Sequence, residues 1–106
     1  MRMRALLLIA LIGAVSAPAA AKILVPMDLS QTNHLKAYGV AYHALQRDQD
    51  VEWLLNYRGG SFLMDDDPAT ARDCALSGVS YEQRSGDEVV SILDEIEQST
   101  MEVVLL

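Results

Sequence analysis

Lys22–His34, KILVPMDLSQTNH, is the stretch on which the fold reading turns. Ile23-Leu24-Val25 is too short for a helix and β-branched enough for a buried strand. Pro26 breaks it, and the chain empties into Asp28, Ser30, Gln31, Thr32, Asn33 and His34 just before a helical pattern begins. A buried strand that spills polar side chains into a helix N-terminus is how open α/β sheets build ligand crevices.

Upstream, Met1-Arg2-Met3-Arg4 is basic, Ala5–Val15 is apolar and uncharged, and Ser16–Ala21 is small, with Ala19 and Ala21 forming an A-x-A site. Crossing a bilayer takes about 20 apolar residues, and Pro18 and Lys22 interrupt the run before that. Residues 1–21 therefore read as a secretory signal cleaved after Ala21, which places the product outside the cytoplasm, periplasmic or extracellular. No stable membrane insertion is expected once it is removed.

What remains, 22–106, is one small α/β domain. It holds six Lys/Arg against all 15 Asp/Glu, a formal charge of −9 where the whole chain carries −7. Such a chain repels nucleic-acid phosphates and anionic lipid, so neither is an expected partner.

Downstream, the spacing predicts a helix from about Thr32 to Gln46, capped by Ser30 or Thr32, with Leu35, Tyr38, Tyr42 and Leu45 as its buried face. Gly39 inside it suggests close packing on a sheet. Val51–Leu55 reads as a second strand, completing a β-α-β unit with a right-handed crossover. Asn56-Tyr57-Arg58-Gly59-Gly60 is a loop, and Ser61–Met64 a short extended segment. Asp67 and Pro68 start a second helix that ends at Gly78. Val79–Glu82 is a third strand candidate, and Ser85 with Glu88 forms a capping box before Val89, Ile92, Leu93 and Ile96. Met101–Leu106 is expected to be a buried strand, so the sequence reads as a piece of a longer protein, its fold incomplete at the C-terminus. Strands alternating with helices predict a small, open, mostly parallel sheet with helices on its faces, Rossmann-like or flavodoxin-like.

For chemistry, Cys74 sits mid-helix among apolar residues and reads as core. His34 and His43 are nine residues apart on one helix and point to opposite sides, so they cannot share a metal. Asp65-Asp66-Asp67 lacks the alternating ligands of a calcium loop and reads as a solvated turn with a cap. No metal or cofactor is expected, and Gly59-Gly60 is not a phosphate loop. The candidate ligand site is the edge where strand ends open. The first strand delivers Asp28, Ser30, Asn33 and His34; the second delivers Asn56 and Arg58, with Gly59 and Gly60 shaping the loop. One cation, two amides and a helix N-terminus suit a small polar or anionic ligand.

KILVPMDLSQTNHLKAYGVAYHAL together with VEWLLNYRGGSFLM resembles the N-terminal part of exported bacterial proteins labelled asparagine synthetase B. The resemblance implies that a glutamine-amidotransferase-like α/β region follows. Position 2 is Arg2, where a glutamine-dependent asparagine synthetase has cysteine, and no Ser-Gly-Gly-Leu-Asp-Ser loop occurs. No catalytic residue is therefore carried over. Two function classes stay open: a non-catalytic binding segment of a secreted protein, or part of an amidotransferase-type enzyme whose nucleophile lies downstream of Leu106.

Overall fold

The computed structural model describes residues 19–106. The leader, apart from Ala19-Ala20-Ala21, therefore lies outside the described residues. Strand β1 (Lys22–Val25) has Ile23, Leu24 and Val25 fully buried, which requires cover on both faces of the sheet. Pro26 ends it, having no N–H to donate to a neighbour.

Helix α1 (His34–Gln46) begins at Asn33, whose side chain accepts from the Lys36 N–H at 3.1 Å. Its cap is thus one residue beyond Thr32. The buried face is Ala37, Val40, Ala41 and Ala44, and Leu35, Tyr38 and Tyr42 are exposed. Both stripes have helical spacing and lie about 100° apart, one residue's rotation. The small side chains won because they let the helix lie closer to the sheet. Gly39 does not mark that contact: a Cβ there would meet nothing within 4 Å.

Strand β2 (Val51–Leu55) turns back through Asn56–Gly60, which includes a 3-10 turn at Tyr57–Gly59, into β3 (Ser61–Asp65). Three residues of that turn take left-handed backbone conformations that favour glycine or asparagine: Asn56, Gly59 and Gly60, and Arg58 joins them at φ 45°. Helix α2 (Pro68–Ser77) starts at Asp67, whose carboxylate accepts from the Ala69 N–H, and ends at left-handed Gly78. Strand β4 (Glu82–Arg84) follows, two or three residues later than the sequence pattern placed it, and Val79 is a core residue instead. The Ser85–Glu88 capping box opens α3 (Gly86–Glu97), and β5 (Glu102–Leu105) completes the sheet.

The strand order is β4-β1-β3-β2-β5, and every neighbouring pair is antiparallel. The sheet is therefore not mostly parallel, and the Rossmann-like or flavodoxin-like expectation is wrong. A parallel sheet needed β1 and β2 side by side. Instead β3 lies between them, with Leu63 opposite Leu24 on one side and Phe62 opposite Trp53 on the other. Among the described residues the first six elements follow the split β-α-β pattern, extended by α3 and β5.

Continuous apolar runs such as Ile23–Val25 and Phe62–Met64 are usual in parallel sheets because helices cover both faces. Here both faces are covered as well. Ile23, Val25, Val51, Phe62 and Met64 meet α1 and α2 on one side, with Cys74 and Val79. Leu24, Leu54 and Leu63 meet Val89, Ile92 and Ile96 of α3 on the other. Double cover, not parallel pairing, produced the pattern. Strand β5 is an edge strand with all four residues exposed, not the buried strand expected of it. Among the described residues no helix is long and apolar enough to cross a membrane.

Candidate functional site

In the split arrangement β3 runs opposite to both β1 and β2, so those two strands end at the same edge. Their exit loops meet there although the strands are not neighbours. The Met27 N–H donates to the Arg58 carbonyl at 3.1 Å, and the Ser61 hydroxyl donates to the Tyr57 and Arg58 carbonyls. The approach is close enough that a Cβ on Gly59, at φ +81°, would stand 2.5 Å from the Met27 carbonyl oxygen.

Gln31 sets the shape of the first loop. It is buried; its amide donates to the Pro26 and Ser80 carbonyls, and its oxygen accepts from the backbone N–H groups of Thr32, Asn33 and Ser80. With its polar atoms engaged, it ties the exit of β1 to the approach of β4.

Arg58 lies at the centre of the edge. Its Nε donates to Asp28 at 2.9 Å, its Nη1 to both oxygens of Glu82 at 2.9 and 3.0 Å, and its Nη2 to the Ser30 hydroxyl at 3.0 Å. Every guanidinium nitrogen is thereby used, and Arg58 presents no free fork. Asp28 also accepts from the Ser30 hydroxyl. That bond first, and the Arg58 bond second, hold its carboxyl down at about 2. Burial pushes Glu82 upward, but hydrogen bonds from Arg84 and Arg58 outweigh it and leave Glu82 below its ordinary value. The Arg58 guanidinium is itself held more basic, chiefly by Asp28.

Glu82 passes the network on. Because β4 pairs Glu82 with Leu24 and Arg84 with Lys22, both side chains stand on the α3 face. Arg84 Nη2 donates to Glu82, and Nη1 donates to Glu88 at 2.9 Å. Its Nε is buried and has no partner among the described residues. Beside it opens a pocket of about 350 Å³ lined by Tyr57, Arg84, Asp87, Glu88, Ser91 and Ile92. Burial raises the Tyr57 phenol, and the Glu95 charge raises it further.

The structure thus gathers Asp28, Ser30 and Arg58 into one cluster, and His34 touches its backbone, with Nε2 against the Met27 and Asp28 carbonyl oxygens at 3.1 and 2.9 Å. Asn33 caps α1, and Asn56 makes no side-chain cap bond. Gly59 and Gly60 shape the turn, where the Gly60 carbonyl accepts from the Trp53 indole N–H at 3.0 Å. Sequence reasoning missed Glu82, Arg84, Tyr57 and Gln31. The available signal was the charge alternation Glu82-Gln83-Arg84, which puts two opposite charges on one face of a strand.

The other candidates are structural. Cys74 is buried, and its thiol is pushed up to about 11 by that burial. Asp65 pairs with Lys22 at 3.3 Å, Asp66 accepts from Gln83, and Asp67 caps α2. No group of three or more potential metal ligands occurs among the described residues. Comparison of the chain with protein-family models, curated proteins and solved structures finds no match.

Proposed function

We propose that Lys22–Leu106 is a non-catalytic binding segment of an exported protein, resembling those labelled asparagine synthetase B, and that it holds a small polar ligand on the α3 face of the sheet. The observation that carries this reading is Arg84, which lines an open pocket and whose Nε N–H is buried with no partner among the described residues. Leaving a buried donor unpaired costs about 1–3 kcal/mol, more for a charged group. A ligand oxygen that engages it after a small side-chain shift recovers part of that cost.

The pocket's charge selects the ligand. Asp87 and Glu88 line it with one arginine, and Glu82 lies behind. A bare anion meets more repulsion than attraction there. A ligand with both acceptors and donors, neutral or zwitterionic, can address Arg84 with oxygen and the carboxylates or the Ser91 hydroxyl with N–H, while Ile92 and the Tyr57 ring cover its apolar part.

Amide chemical shifts followed by NMR during titration with glycine, propionamide and acetate test this. Glycine or propionamide should shift Tyr57, Glu88 and Ser91 saturably, acetate should not, and Arg84→Ala should remove the response. No saturable shift with any probe, or an unchanged response in Arg84→Ala, would overturn the reading.

A further inference from the structure

On the opposite face of the sheet, Tyr38, Trp53 and Phe62 form an aromatic corner, and we propose that it binds a quaternary ammonium head group. The site is independent of the Tyr57–Arg84 pocket, which lies on the α3 side.

Its geometry follows from two features of the fold. Trp53 and Phe62 are cross-strand partners on β2 and β3, so their rings share a face, with centroids 6.2 Å apart and planes at 22°. The rotated stripe of α1 buries its alanines and leaves Tyr38 over the same spot, 5.7 Å from Phe62 and nearly perpendicular to it at 78°. Leu106 also lines the corner, an open hollow of about 260 Å³. Tyr38 keeps 54% of its surface exposed, so aromatic area remains open to solvent.

The chemistry of these walls distinguishes among ligands. Aromatic faces are electronegative at their centres and attract cations. The Trp53 N–H is already committed to the Gly60 carbonyl, which leaves the indole its π-surface as the means of binding. The lining is apolar. A primary ammonium entering would give up hydrogen bonds to water without replacement, whereas a trimethylammonium group has none to give up. The volume is below the usual range for drug-sized ligands and suits a head group better than a larger molecule. Among the described residues no lysine or arginine lines the corner, and the chain's net charge of −7 draws cations to the protein as a whole.

Trp53 is the sole tryptophan, so its fluorescence reports on the site directly. The chain is titrated with choline chloride, with sodium chloride at equal ionic strength as blank, and with 3,3-dimethylbutan-1-ol, the uncharged isostere of choline. Choline should change the emission saturably, and the isostere should bind at least about fivefold more weakly. Tyr38→Ala should weaken choline by a similar factor, and Tyr38→Phe should retain it; far-UV circular dichroism checks that both variants stay folded. Equal affinity for choline and its isostere would reduce the corner to an ordinary apolar patch. No saturable change, or a response that survives Tyr38→Ala undiminished, would likewise overturn the proposal.

Discussion

Gly39→Ala should stabilise the protein, and the structure says by how much. Residue 39 lies inside α1, between the buried Ala37 and Val40, yet a Cβ built there meets nothing within 4 Å. No steric cost offsets the gain in helix propensity, which is about 0.8–1.0 kcal/mol for glycine to alanine in a helix interior. For a domain of this size that corresponds to a rise in Tm of about 4–8 °C. Thermal and urea unfolding followed by far-UV circular dichroism would measure it, with an unchanged m-value showing that stability alone has moved. Gly59→Ala is the internal contrast. There the backbone is left-handed at φ +81° and the new methyl would collide with the Met27 carbonyl, so the same substitution should lower Tm. A neutral or destabilising Gly39→Ala would refute the reasoning, because it would mean that something packs against α1 at that position.

Three further outcomes are expected. Arg58→Ala leaves Asp28 and Glu82 without their shared cation and should cost about 1–2 kcal/mol, the half-exposed setting keeping it near the low end for charged hydrogen bonds; an unchanged Tm would show the network to be idle. Asp28 is held at about 2 against an ordinary 3.8, so its contribution is complete above pH ~4 and is lost as pH falls toward 2; the stability difference between wild type and Asp28→Asn should shrink over that window, and a constant difference would contradict the assignment. Cys74, buried and with its thiol raised to about 11, should resist a thiol-specific chromogenic reagent at pH 8 until the protein is denatured, and rapid native labelling would show that α2 opens readily.

How legible the sequence was depended on the range of the interactions involved. The start of α2 at Asp67-Pro68, its end at Gly78 and the Ser85–Glu88 box were all readable, because each is a contact between residues three or fewer apart, or a single backbone preference. Strand order was not. Whether Ile23–Val25 lies beside Val51–Leu55 or beside Phe62–Met64 is decided by pairings some forty residues apart, and a doubly covered antiparallel strand shows the same apolar run as a parallel one. Ser61–Met64 was the clue: an apolar run directly after Gly59-Gly60 is what a hairpin looks like. The face of α1 was ambiguous for a related reason, since its alanine stripe and its leucine-tyrosine stripe fit the helical period equally. At the site, Arg58 stood out as a cation after a buried strand. That carboxylates would occupy it could not be read, because Glu82 is 24 residues away on a strand the pattern placed too early.

The insertion of β3 between β1 and β2 also imposes an order in time. Strand β1 has two neighbours, β3 and β4, and both lie far behind it in the chain. A polypeptide delivered N-terminus first carries Ile23-Leu24-Val25 without a partner until Asp65 has emerged, and with only one until Arg84 has. The β2–β3 hairpin has no such wait. It closes over Asn56–Gly60 alone, a step of about 1–10 μs. Its free edge then becomes the template onto which β1 docks. Amide protection in pulse-labelled refolding should therefore reach Glu52 and Leu63, a hydrogen-bonded pair of the hairpin, before Val25, and the reverse sequence would place the nucleus elsewhere. The strand that comes first in the chain is among the last to find its place.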